Sequence, residues 1–148
     1  MNQKRMDILS VFGYLFMVVG LLSLFFNDGL FSFSLVVIVL QAAAIILMIW
    51  ARVTFKARSF HLSATPTEGG LVTTGPYKYI RHPIYAAVLL FVWAAVAGNC
   101  TMTNVLLGSV VFAGSFIRIV CEESLVRQRY PEYQQYAEKK KRLIPYVF

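Results

Sequence analysis

Leu30 to Trp50 reads LFSFSLVVIVLQAAAIILMIW, a run without one charged side chain. Wound as an α-helix at about 1.5 Å per residue, it reaches about 30 Å, the thickness of a membrane's hydrocarbon core. Three further stretches lack charge: Ile8 to Phe26, Ile84 to Ala97 and Thr101 to Ile117. The last two are shorter and meet at Gly98-Asn99, which predicts a tight helical hairpin. Composition agrees, because 58% of the 148 residues are hydrophobic and 14% charged, with a mean hydropathy of +0.64. A soluble domain carries about 25% charged residues, so this chain needs an apolar solvent for its outer surface. The expected fold is an all-α membrane protein of about four transmembrane helices, with a cytoplasmic loop and a C-terminal cytoplasmic helix. The length allows one domain over residues 1–148, with spans near 8–26, 30–50, 84–98 and 101–118.

The basic residues set the topology. Lys4 and Arg5 precede the first span; Arg52, Lys56, Arg58, Lys78 and Arg81 lie between the second and third; Arg118, Arg127, Arg129, Lys139, Lys140, Lys141 and Arg142 follow the fourth. With a cytoplasmic N-terminus all 14 fall on one side, as the positive-inside rule requires. The net charge of +7 is then a mark of topology and does not call for nucleic acid. Both termini are expected in the cytoplasm, in the manner of a bacterial-type inner membrane protein. The opening MNQKR looks like the start of a signal peptide. The apolar run after it, however, is longer than an h-region and ends in Asn27-Asp28-Gly29 without a cleavage site, so it reads as a retained helix.

Several function classes drop out. No ionisable side chain sits in mid-span, which counts against a proton-coupled exporter. No glycine-rich fingerprint stands between a strand and a helix, which excludes a Rossmann-type cofactor domain. His61 and His82 are far apart, so no metal site is expected, and Cys100 and Cys121 lie at opposite ends of one span, where free thiols are expected.

The chemistry therefore belongs at the cytoplasmic surface. The loop from Thr65 to Tyr85 is rich in Gly, Pro and Thr and feeds into the third span, with Pro83 suited to a first helical turn. Arg81 and His82 would stand at that helix's positive end, where an anionic group is favoured. They read equally as a lipid-phosphate anchor and an interfacial side chain. Glu122 and Glu123, about one turn past the fourth span, point about 100° apart, so one of them faces the bundle more easily. They read equally as solvated, or as paired with Arg118, Arg127 or Arg129 at helical spacing. Tyr130, Tyr133 and Tyr136 form an aromatic stripe, and Lys139 to Arg142 a basic run suited to anionic lipid.

Taken in order, these motifs carry a resemblance. Gly-Pro-Tyr-x-x-x-Arg-His-Pro-x-Tyr at 75–85, Glu122-Glu123, Tyr133-x-x-Tyr136 and Arg142-x-x-Pro145 resemble the isoprenylcysteine carboxyl methyltransferase and phospholipid N-methyltransferase superfamily. The resemblance covers the C-terminal half. It implies an integral-membrane methyltransferase using S-adenosylmethionine, with a cofactor-binding region over about 65–85 and 118–148. It implies that Tyr77, His82, Pro83, Tyr85, Glu122, Glu123 and Tyr136 line the cofactor pocket. One glutamate would meet the ammonium or ribose hydroxyls, and His82 would lie toward the carboxylate. Arg81 and Arg142 are the candidates for orienting an anionic substrate group or the cofactor carboxylate, because guanidinium grips carboxylate and phosphate as a fork. The acceptor would be hydrophobic or lipid-like, entering from the bilayer, with its carboxylate, amine or thiol as nucleophile. Two other readings fit the same architecture: a sterol-type membrane reductase using NADPH, and a non-catalytic membrane scaffold.

Overall fold

The computed structural model describes residues 3–55 and 70–145. The positions expected to matter between Lys56 and Gly69, including His61 and the Thr65 end of the loop, lie outside the described residues. Among the described residues there are four long helices and one short one: α1 (Gln3–Phe26), α2 (Leu35–Phe55), α3 (Pro83–Gly98), α4 (Met102–Arg129) and α5 (Tyr133–Lys139), with a 3-10 turn at Gly75–Lys78 before α3. Among the described residues there is no strand, only a parallel bridge between Ile80 and Lys141. Helices α1, α2 and α4 are long and apolar enough to cross a membrane, and α3 is a shorter apolar helix. The protein is an all-helical integral membrane protein.

The first helix begins at Gln3, five residues before the expected Ile8, and the second and fourth differ further from their sequence boundaries. The second helix begins at Leu35, five positions beyond Leu30, and continues past Trp50 to Phe55. Asp28 adopts a left-handed backbone (φ 52°), and Ser32 Oγ accepts from the Ser34 amide. Local bonding by serine thus competes with the helix, and Leu30–Ser34 stays a connector. The fourth helix does not stop near residue 118. It runs unbroken to Arg129, because nothing in Arg118–Arg129 is Gly or Pro and the i,i+4 pairs Arg118–Glu122 and Glu123–Arg127 support it.

The packing is built on small residues. Along α1 the buried positions are Met6, Ser10, Gly13, Gly20 and Leu24, and along α4 they include Gly108, Val111, Ser115, Arg118 and Leu125. Each set steps by threes and fours, so each helix presents one seam, and the two run antiparallel in close contact. A methyl group on Gly13 would meet the Gly114 carbonyl at 2.9 Å, and one on Gly20 would meet Val111 at 2.6 Å. Helix α2 lies against α3. Large apolar side chains such as Phe12, Val19, Ile38 and Ile46 point outward, as lipid-facing surfaces require. At the end away from the basic residues the two turns are joined by side-chain amides. Asn99 donates to the Asp28 carbonyl (3.0 Å), Asn104 to the Asn99 carbonyl (2.8 Å) and Gln41 to the Leu30 carbonyl (2.8 Å).

Candidate functional site

The opposite end of the bundle holds the polar cluster. Gly75 takes a left-handed conformation (φ 56°) and lies directly against Thr54 of α2. Pro76 then opens the 3-10 turn, which buries Tyr77, with its ring 5.4 Å from that of Phe55. Pro83 is the first residue of α3 and His82 its N-terminal neighbour. Instead of continuing a helix backward, the Arg81 and His82 amides donate to the Lys141 and Arg142 carbonyls, each at 2.9 Å. The C-terminal segment is thereby strapped across the start of α3. Tyr136 adds a second tie, donating its hydroxyl to the Tyr77 carbonyl at 2.6 Å.

Glu123 lies at the centre of this arrangement. Arg81 approaches it at 3.1 Å, His82 Nε2 at 3.1 Å, Arg142 at 3.1 Å and Arg127 at 3.7 Å, and the side chain is only 4% exposed. Burial alone would raise its pKa, but hydrogen bonds from His82 and Arg142 and the charge of Arg81 outweigh burial and hold it at about 2. Arg142 is held more firmly cationic by its bond to Glu123. Glu122, turned to the adjacent face, is partly exposed. It accepts a short hydrogen bond from Tyr85 and an ion pair from Arg118 (3.4 Å), and its other oxygen is 3.8 Å from His82 Nδ1. Of the two glutamates, Glu122 is the one with room for a further partner.

The tyrosines supply neutral hydroxyls and ring faces. Burial raises the pKa of Tyr136 to about 12 and those of Tyr77 and Tyr133 further, so none carries charge near neutrality. The rings of Tyr133 and Tyr136 lie 5.9 Å apart. Two buried donors, Arg81 Nε and the Tyr133 hydroxyl, have no hydrogen-bond partner among the described residues. Arginines also outnumber carboxylates here, with Arg81, Arg118, Arg127 and Arg142 set against Glu122 and Glu123. Such a cluster suits a ligand that brings its own carboxylate or phosphate.

The structure thus brings Tyr77, Arg81, His82, Pro83, Tyr85, Glu122, Glu123, Tyr136 and Arg142 to one end of the bundle, from segments scattered over half the chain. The sequence profile of the phospholipid methyltransferase family matches residues 30–133. The chain belongs to this family. No curated protein and no solved structure matches it significantly. The phospholipid methyltransferase match spans α2, α3 and α4 and takes in Tyr77 to Glu123, whereas α1, Tyr136 and Arg142 lie outside it. Membership makes the protein a membrane methyltransferase.

From the sequence, Arg118 is only a positive-inside charge and a neighbour of Glu122, but the structure places it in the polar cluster. It is buried and donates through Nε to the Tyr85 hydroxyl at 2.8 Å. A signal was present. The seam of α4 runs Gly108, Val111, Ser115, Arg118, and that spacing carries Arg118 inward with the small residues.

Proposed function

We propose that this phospholipid methyltransferase family member transfers a methyl group from S-adenosylmethionine to a lipid-like acceptor at the cytoplasmic membrane surface, with both termini cytoplasmic. The observation that carries the reading is the convergence of an accessible carboxylate, an arginine cluster and neutral tyrosines at one end of the bundle, most of them within the family match. S-adenosylmethionine supplies an electrophilic methyl group on a sulfonium. Its ammonium, carboxylate, ribose and adenine call for an acid, basic or N–H donors, and aromatic faces, and the site holds all three. The unpartnered Arg81 Nε and Tyr133 hydroxyl suit a carboxylate, since buried donors call for acceptors.

In this reading Glu122 meets the ammonium or the ribose hydroxyls, while Glu123 holds Arg81, His82 and Arg142 in place. His82 and Arg81, at the start of α3, face the carboxylate. Tyr77, Tyr85 and Tyr136 wall the pocket, and Pro83 shapes its floor. Arg142, partly exposed on the strap, orients an anionic group of the acceptor. Methyl transfer is an in-line displacement at carbon, so the protein's part is alignment, exclusion of water and an unprotonated nucleophile. The acceptor reaches the site from the bilayer between helices, and the soluble donor from the cytoplasm.

Calorimetric titration of S-adenosylmethionine and S-adenosylhomocysteine into detergent-purified protein tests this, with NADPH as control. Saturable binding of both, weakened by Glu122→Ala and His82→Ala, is the expected result. A folded, monodisperse sample that binds neither overturns the reading.

A further inference from the structure

Helix α1 lies outside the family match, yet three of its features meet at one side chain of α4. The Arg118 guanidinium lies with Cζ 5.2 Å from the centroid of the Tyr14 ring. Its Nη1 donates to the Ser10 carbonyl at 3.5 Å. Its aliphatic stem passes over Gly13, where an added methyl group would sit 3.1 Å from Arg118 Cγ. Carbonyl, ring face and missing side chain form a socket with the shape and polarity of an arginine.

What the socket holds is directed at the site. From it, Arg118 Nε donates to the Tyr85 hydroxyl at 2.8 Å and Nη2 pairs with Glu122 at 3.4 Å, while Tyr85 itself donates to Glu122. A planar guanidinium fixed on one edge thus sets both the hydroxyl and the carboxylate on the other. Glue between two helices needs no such aim, and the α1–α4 seam is already closed by Gly13, Gly20 and Gly114.

We propose that α1 is a working part of the donor site: Ser10, Gly13 and Tyr14 fix Arg118, and Arg118 is a positioning residue that orients Tyr85 and Glu122 toward S-adenosylmethionine. The proposal rests on the donor-site reading above. It predicts that the quality of the Tyr14 ring face is felt as donor affinity more than as stability.

The test is calorimetric binding of S-adenosylhomocysteine together with thermal unfolding, on wild type, Tyr14→Leu, Tyr14→Phe, Arg118→Lys and Gly20→Ala. Tyr14→Leu removes the ring face and should weaken binding roughly 3- to 30-fold. Tyr14→Phe keeps the face and should stay within about twofold of wild type. Arg118→Lys keeps the charge but loses the fork, and should weaken binding about tenfold or more. Gly20→Ala strains the same seam against Val111 away from the socket, and should lower Tm while leaving the dissociation constant unchanged. Should Tyr14→Leu not fold, Arg118→Lys carries the comparison. Wild type that binds, with Tyr14→Leu and Arg118→Lys binding equally well, overturns the role of α1 and leaves the donor site standing. Loss in Gly20→Ala equal to that in Tyr14→Leu also overturns it, as a stability effect. Wild type that does not bind overturns the donor-site reading itself and the proposal with it.

Discussion

Exchanging Glu123 for Gln takes away the anion on which Arg81, His82, Arg127 and Arg142 converge, and leaves a side chain of nearly the same shape. Water cannot replace the lost charge at a position that is 4% exposed. A carboxyl held at about 2 against an ordinary 4.5 corresponds to about 3 kcal/mol of preference for the ionised form in the fold. Removing one partner of a buried ion pair costs about 3–5 kcal/mol in measured cases, which is the same size. Glu123→Gln should therefore lower Tm by roughly 6–12 °C, read by thermal unfolding in detergent. A local signature should accompany the shift. With Arg142 released from Glu123, the strap across the start of α3 keeps its backbone bonds and the Tyr136 tie, and trypsin should cut sooner at Lys139–Arg142. A Tm within roughly 2 °C of wild type, with an unchanged tryptic pattern, would refute the reasoning.

The same carboxyl sets an acid limit. Its pKa is lower in the folded than in the unfolded chain, so the folded state binds fewer protons, and the contribution is complete above about pH 4.5. It disappears as pH falls toward 2. Wild-type Tm should drop across that window, and Glu123→Gln, which has no such proton to take up, should drop less. Parallel slopes for the two proteins would show that another group governs the acid transition.

Three further substitutions probe separate parts of the structure. Gly114→Ala places a methyl group 2.5 Å from the Gly13 carbonyl and 2.7 Å from the Met17 amide. Backbone meets backbone there, so α1 must move away, and a loss of about 1–3 kcal/mol in thermal stability is expected. Tyr136→Phe removes the 2.6 Å bond to the Tyr77 carbonyl and should cost about 1 kcal/mol, with faster trypsin cleavage at Lys139. Tyr133→Phe deletes a buried hydroxyl that has no partner among the described residues. Stability should hold or rise slightly while affinity for S-adenosylhomocysteine falls several-fold, and unchanged affinity would remove Tyr133 from the site.

How far the sequence carried depended on whether a feature is written along the chain or between helices. The apolar helices were legible, because length and apolarity belong to the chain itself. The start of α2 was not, because Leu30 to Ser34 is as apolar as a helix and only the serine bonding and the turn at Asp28 keep it extended. Glu122 and Glu123 were recognisable as a pair, but which of them is ringed by arginines needed the C-terminal strap. Arg142 reaches Glu123 only because the Arg81 and His82 amides capture the carbonyls of Lys141 and Arg142.

Arg118 is the instructive case. Hydropathy ends the fourth span at the residue before it, so it was counted with the charges outside. The seam of α4 does not end there. The three-and-four spacing that buries Gly108, Val111 and Ser115 continues through Arg118 and on to Leu125, and the antiparallel seam of α1 meets it with Ser10 and Gly13. A first charge that stays in phase with a buried small-residue seam is carried inside the bundle, where an unpaired guanidinium would be costly and a partnered one is fixed. In this chain the phase of Arg118 on the seam, and not its sign, told that its side chain turns inward to Tyr85 and Glu122.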